Sequence, residues 1–202
     1  MKLLFPLAAT LLVTACATTE VAPNLDKFGD VKFVTSPQGY QMLGGVGYKF
    51  SIKEAKADVL PLCVAQVVEN REVNLTGVET VTSYIPGVFR SDSKSVMVGG
   101  GQTITYVSDD RKTVIAKGVE PYVVGASFMP VERSIRYALT AKLSGELLSL
   151  SFDKLEYAQL STGSIKNDGY KQLGAWPAAQ PEKALASIKK VAENLNNCIV
   201  SN

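Results

Sequence analysis

Three features of the sequence predict an α+β fold, an antiparallel curved sheet covered by helices in a single domain. Two neighbouring segments past the middle of the chain alternate apolar and polar residues. An amphipathic stripe closes the C-terminal end, and short β-branched runs are separated by turns bearing glycine or proline. The 202 residues suit one core of ordinary size. Apolar residues at 46% and charged residues at 20% exclude both a disordered solvating tail and a polytopic membrane protein.

Taken in order, residues 31–35 and 46–52 read as strands, separated by Ser36, Pro37, Gln38 and Gly39 and by the Gly44-Gly45 break. Ser51 and Glu54 have the spacing of a capping box, which predicts a helix start there. Residues 60–68 fit either a helix or a strand. Pro61 tips the balance toward a helix if it occupies the first turn, where its missing amide costs nothing. Residues 78–85 begin a long, loop-rich excursion that runs through a polar stretch at 90–94 to Gly99, Gly100 and Gly101. Residues 103–107 and 112–116 form a hairpin about the turn Ser108, Asp109, Asp110, Arg111. A second hairpin follows. Tyr137, Leu139, Ala141 and Leu143 alternate with polar or small residues, Ser144-Gly145 turns, and Leu148, Leu150 and Phe152 alternate with Ser149, Ser151 and Asp153. Leu155 and Tyr157 then change parity, which predicts a bulge near Asp153. Pro181 opens the last helix, whose apolar stripe is Leu185, Ile188, Val191, Ala192, Leu195, Cys198 and Ile199.

The N-terminus carries an address. Lys2 is followed by an apolar run from Leu3 to Val13, then Thr14, Ala15 and Cys16. The run is about half the ~20 residues a spanning helix needs, so it reads as a signal peptide. Val13, Thr14, Ala15 and Cys16 resemble the lipobox of bacterial lipoproteins. That resemblance implies cleavage before Cys16, a diacylglycerol on its thiol and an acyl group on its new amine. Each buried methylene contributes about 0.8 kcal/mol, so two or three chains give stable attachment. The resulting division is a signal peptide at 1–15, a lipidated flexible tether at 16–28 and a globular domain at 29–202. By the same resemblance, Ala17 after the cysteine, rather than Asp, implies the outer membrane where the host has one, facing the periplasm. Membrane contact through the acyl chains on Cys16 is thus the first expected partnership.

Export to an oxidising compartment favours a disulfide between Cys63 and Cys198 over two free buried thiols, since neither belongs to a C-x-x-C pair. Closing so long a loop stabilises the fold by about 5 kcal/mol on the chain-entropy model. Cys198 on the apolar face of the last helix points toward the core, as such a bridge requires.

The chain contains no histidine, which removes imidazole triads, imidazole metal sites and imidazole pH switches. With 21 basic and 19 acidic residues, nothing steers nucleic acid toward it. The glycine triplet at 99–101 lacks the lysine-hydroxyl pair of a phosphate loop. Ser-x-x-Lys occurs at Ser91/Lys94, Ser151/Lys154 and Ser187/Lys190, without the companion elements of serine acyl-enzymes. Asp109 and Asp110 belong to a turn rather than a calcium loop. Asn74, Leu75 and Thr76 form a sequon that has no meaning if the lipobox resemblance makes the chain bacterial. Trp176, the single tryptophan, reads either as an exposed contact or as a plug under the last helix. No residue is assigned to catalysis, a cofactor or a metal.

The order of elements also resembles the small α+β lipoprotein domains of unknown function with a TBP-like, helix-over-curved-sheet arrangement. The likeness runs from Val46 to Ile199 and rests on Val114, Ile115, Ala116, Lys117 and Gly118, on the second hairpin and on the closing helix with Cys198. It implies no catalytic residue. The expected function is a non-enzymatic binding or scaffold module of the cell envelope, with an envelope protein or polymer as partner. The alternative is a carrier in which the sheet and the 84–101 loops enclose a small apolar ligand. A Ser-Lys hydrolase is the third.

Overall fold

Antiparallel pairing organises the chain, and its centre is the hairpin that alternation predicts. The computed structural model describes residues 20–53, 58–81, 90–125 and 130–202. β1 (Asp30–Thr35) and β2 (Gln41–Ser51) form one hairpin. After α1 (Val59–Val67), β3 (Glu72–Val81) pairs with β4 (Arg90–Gly99) in a separate two-stranded sheet. β5 (Ile104–Val107), β6 (Thr113–Val124), β7 (Val131–Ser144) and β8 (Leu147–Gln159) follow as a meander. β9 (Lys171–Gln172) and α2 (Pro181–Ser201) complete the fold. The main sheet is ordered β1-β2-β8-β7-β6-β5, with β9 also on β8. It is open, and the described helices make up far less of the chain than the strands.

Local sequence explains most of this. β7 buries Ile135, Tyr137, Leu139, Ala141 and Leu143, and β8 buries Leu148, Leu150 and Phe152 on the same side. The expected bulge is present: Lys154 has φ 55°, and the β7–β8 register shifts between Arg136 and Ala138. Phe152 and Leu155 therefore both enter the core. Past the bulge β2 leaves β8, and residues 171–175 fill the gap. Leu173 donates to Leu155 and accepts from Leu43, at 3.0 and 2.8 Å.

Both helices pack on one face of the sheet. α1 buries Val59, Leu60, Cys63 and Val64, with Pro61 in its first turn, so the 60–68 ambiguity resolves as a helix. α2 buries the expected stripe from Leu185 to Ile199 except Cys198, which is half-buried against the core. Cys63 and Cys198 are joined as a disulfide across 135 residues of sequence, which staples the two helices together. The opposite face carries a smaller cluster, in which Val73 and Leu75 of β3 meet Val119 and Ala158.

Four expectations need correction. The Gly44-Gly45 pair is not a break: it lies inside β2, which starts at Gln41. The excursion at 90–94 is not loop: residues 90–99 form β4, held by backbone pairing along the whole of β3, and Gly99, Gly100 and Gly101, all at positive φ, end it. Ser51 does not start a helix; it is the last residue of β2, and Glu54 lies outside the described residues. The tether expected at 16–28 is docked over its described part. Ala22 and Leu25 are buried, Ala22 N–H donates to the Ala175 carbonyl at 2.7 Å, and Leu25–Phe28 form a 3-10 turn.

Candidate functional site

Part of the face opposite the helices is covered by β3, β4 and the Tyr170 segment; over the rest, none of the described residues lies on the sheet. What shapes that part is β2. Gly45 and Gly47 point to this face and leave bare backbone between β1 on one side and β8 on the other. A Cβ on Gly45 would meet the Asp153 carboxylate and the Phe152 carbonyl, whereas one on Gly47 would be in ordinary contact with Asp30. The result is a concavity of about 680 Å³.

Strand register arranges its polar groups in rows. Lys49 lies opposite Ser149, which lies opposite Lys142. In the next row Asp30 faces Gly47, then Ser151 and Thr140. In the third, Lys32 faces Gly45, then Asp153. Strands are spaced about 4.8 Å apart, so the backbones of Lys49 and Lys142 stand about 10 Å apart with a serine between them. Asp153 accepts from the Ser151 hydroxyl at 2.9 Å. Among the described residues none of Lys32, Lys49 and Lys142 is ion-paired.

Farther along the same face a second concavity, about 370 Å³, lies against Lys117, Arg136, Lys154, Glu156 and Tyr170. Here two of the charges, Arg136 and Glu156, are already engaged with each other. Arg136 donates to Glu156 at 2.6 Å and lies 4.4 Å from the Tyr170 ring centroid, a cation–π contact. The Tyr170 hydroxyl is 2.8 Å from the Ser134 hydroxyl. A third concavity, about 580 Å³, lies beside α2 and includes Glu69, Glu120, Ser187 and Lys190. Burial, with Glu69 adding to it, pushes the Glu120 carboxyl up to about 6, against partial relief from Arg71 and Lys190.

The residues singled out from sequence fall in different places. Cys16 and the rest of the lipobox lie outside the described residues. Cys63 and Cys198 are bonded to each other. The Ser151 hydroxyl goes to Asp153 and that of Ser187 to the Pro121 carbonyl, while the Ser91 side chain lies outside the described set. Asp110 belongs to the β5–β6 turn, accepting from Ser108 at 2.6 Å and from the Lys112 amide at 3.1 Å. Of the loops expected to enclose a ligand, residues 84–89 lie outside the described residues and 90–99 are strand. Trp176 is half-buried beside Gly174, with the Tyr40 ring centroid 6.0 Å away. Among the described residues no group of three acidic or cysteine side chains is placed to hold a metal, and no helix is long and apolar enough to cross a membrane.

The lysine trough was missed in the sequence. Its signal was the wet phase of the alternation, Thr140 and Lys142 with Ser149 and Ser151. Nothing local told that β2 lies beside them.

The fold is thus a mostly antiparallel sheet with two helices. No protein-family model matches the chain, and no curated protein matches it. Among solved structures, a DUF4468 family protein from Bacteroides ovatus is similar at 11% identity, covering 80% of this chain and 83% of that one, with a TM-score of 0.38.

Proposed function

We propose that this protein is a lipoprotein of the cell envelope, held at the outer membrane on its periplasmic side by acyl chains on Cys16, and that it works without catalysis, as a binding module. The binding surface is the lysine trough of the sheet, and its partner is an extended polyanionic envelope polymer. One observation supports this reading: three ammonium groups, on Lys32, Lys49 and Lys142, come from three strands around a floor of bare backbone and have no ion-pair partner among the described residues. The ~10 Å spacing of Lys49 and Lys142 suits successive charges on an extended chain, and the hydroxyls of Thr140, Ser149 and Ser151 lie between them. With 21 basic and 19 acidic residues overall, attraction is local rather than a long-range field.

Intact mass of the protein purified from membranes, compared with Cys16→Ala, tests the anchor; the expected result is added lipid mass that the variant lacks. Binding to polygalacturonate, with neutral dextran as control, tests the surface. Three exposed ion contacts at ~0.5 kcal/mol each total ~1.5 kcal/mol, so Lys32→Ala/Lys49→Ala/Lys142→Ala is expected to weaken binding about tenfold. Salt weakens the native interaction in the same direction. Gly47→Val, which adds a side chain to the floor without backbone strain, is expected to block it sterically. Equal affinity for dextran, or undiminished binding by the triple variant, rules the surface out.

A further inference from the structure

The end of the sheet where the described chain begins carries an exposed apolar rim. Val34 pairs with Met42 and Thr35 with Gln41 across the β1–β2 turn, Met42 bridges to Gly174, and Ala175 donates to the Gln41 carbonyl at 3.0 Å. Trp176 follows directly, with Tyr40 beside it. Phe33, Val34 and Tyr40 are 43%, 44% and 45% exposed. The segment from Phe33 to Met42 contains no charged residue, in a chain of which charged residues make up 20%. The tip is also rigid: Ser36 N–H donates to the Tyr40 carbonyl at 2.8 Å, and Tyr40 N–H to the Ser36 hydroxyl at 3.1 Å.

The N-terminal segment enters at the same place. Ala22 is hydrogen-bonded to Ala175, the residue before Trp176. From Ala22 back to Cys16 the chain reaches at most ~21 Å even fully extended. A lipid on Cys16 therefore holds this end of the molecule close to the bilayer. Tyrosine and tryptophan partition to the headgroup layer, where the ring is buried and its polar atom stays wet, and a tip without charge has no ion to desolvate there.

We propose that the β1–β2 tip, with Phe33, Val34 and Tyr40, and the adjoining Trp176 form a second membrane contact seated in the lipid headgroup layer. This rests on the lipid-anchor reading above and adds a fixed orientation to it. Two contacts, one covalent and one through aromatic side chains, stop the body from tumbling on its anchor.

Trp176 is the single tryptophan and reports on the contact directly. The full acylated chain, its lipid confirmed by intact mass, is placed in vesicles of phosphatidylethanolamine and phosphatidylglycerol carrying nitroxide lipids labelled at the headgroup or deep in the acyl chain. The expected result is blue-shifted emission and at least twofold stronger quenching by the headgroup label. Phe33→Ser/Tyr40→Ser is expected to halve that quenching or better at an unchanged melting temperature. Should that variant melt early, Gln38→Glu, which puts a charge on the exposed turn, is expected to reduce quenching likewise. Acylated protein that binds vesicles with no quenching of Trp176 overturns the contact and leaves the anchor standing. Quenching that survives both variants overturns the role of the tip. Absence of lipid mass on Cys16 overturns the anchor and the contact together.

Discussion

Tyr137 and Glu120 show how single side chains record the packing around them. Tyr137 lies across its strand partner Gly118, where any Cβ would run into the ring, and meets Phe152 edge-on at 5.1 Å between centroids. Its buried hydroxyl has no hydrogen-bond partner among the described residues, and burial drives its pKa far above the usual tyrosine range. Glu120 points to the same face one turn of the pleat away, half-buried near α2. Because burial lifts its carboxyl from 4.5 to about 6, the fold favours the protonated acid. The associated stability is fully present below pH 4.5 and is lost as pH rises through about 6. Solvent reaches the half-exposed group, and screening trims the effect to about 1 kcal/mol. Chemical denaturation at pH 7 and at pH 5 is expected to show the protein more stable at pH 5 by that amount, and Glu120→Gln is expected to flatten the difference. An unchanged slope in the variant assigns the pH dependence elsewhere.

At the scale of elements, legibility followed periodicity. α2 could be read because its stripe repeats with helical period from Leu185 to Ile199, and β7 and β8 because every second residue is apolar. Even the bulge at Lys154 was visible, since it displaces Leu155 from the parity of Phe152. β4 could not be read. Its first half, Arg90, Ser91, Asp92, Ser93 and Lys94, has no apolar phase, and its pairing with β3 is a matter of backbone hydrogen bonds, which leave no trace in hydropathy. The docked N-terminal segment escaped for a related reason: Ala22 and Leu25 are two isolated apolar residues among polar ones. The Cys63–Cys198 staple ties α1 to α2, the two elements that cover the sheet. Cys63→Ala/Cys198→Ala is expected to lower stability by about 2–5 kcal/mol, since the open chain regains the freedom of a 135-residue loop. Denaturant titration measures the loss. A variant as stable as the native protein shows that helix packing alone holds α1 in place.

At the scale of the whole molecule, the trough was illegible because it depends on which strands become neighbours. Lys142 and Ser149 are near in sequence, but Lys49 and Lys32 join them only when β2 lies against β8. That pairing spans about half of the chain, whereas β5 to β8 are successive hairpins. Local closures cost less entropy than distant ones, so the meander is expected to gain amide protection before the β2 amides that face β8 do, while β1 and β2 close locally on each other. Pulse-labelled hydrogen exchange during refolding reads the order directly, and simultaneous protection of those β2 amides and β7 contradicts it. Until β2 arrives, one side of β8 is an unsealed row of amides and carbonyls. A neighbouring copy offers the same hairpin at the same register, and an exchange of β1–β2 between two chains satisfies every bond that each makes alone. Crowding during refolding is thus expected to favour dimers that exchange β1–β2.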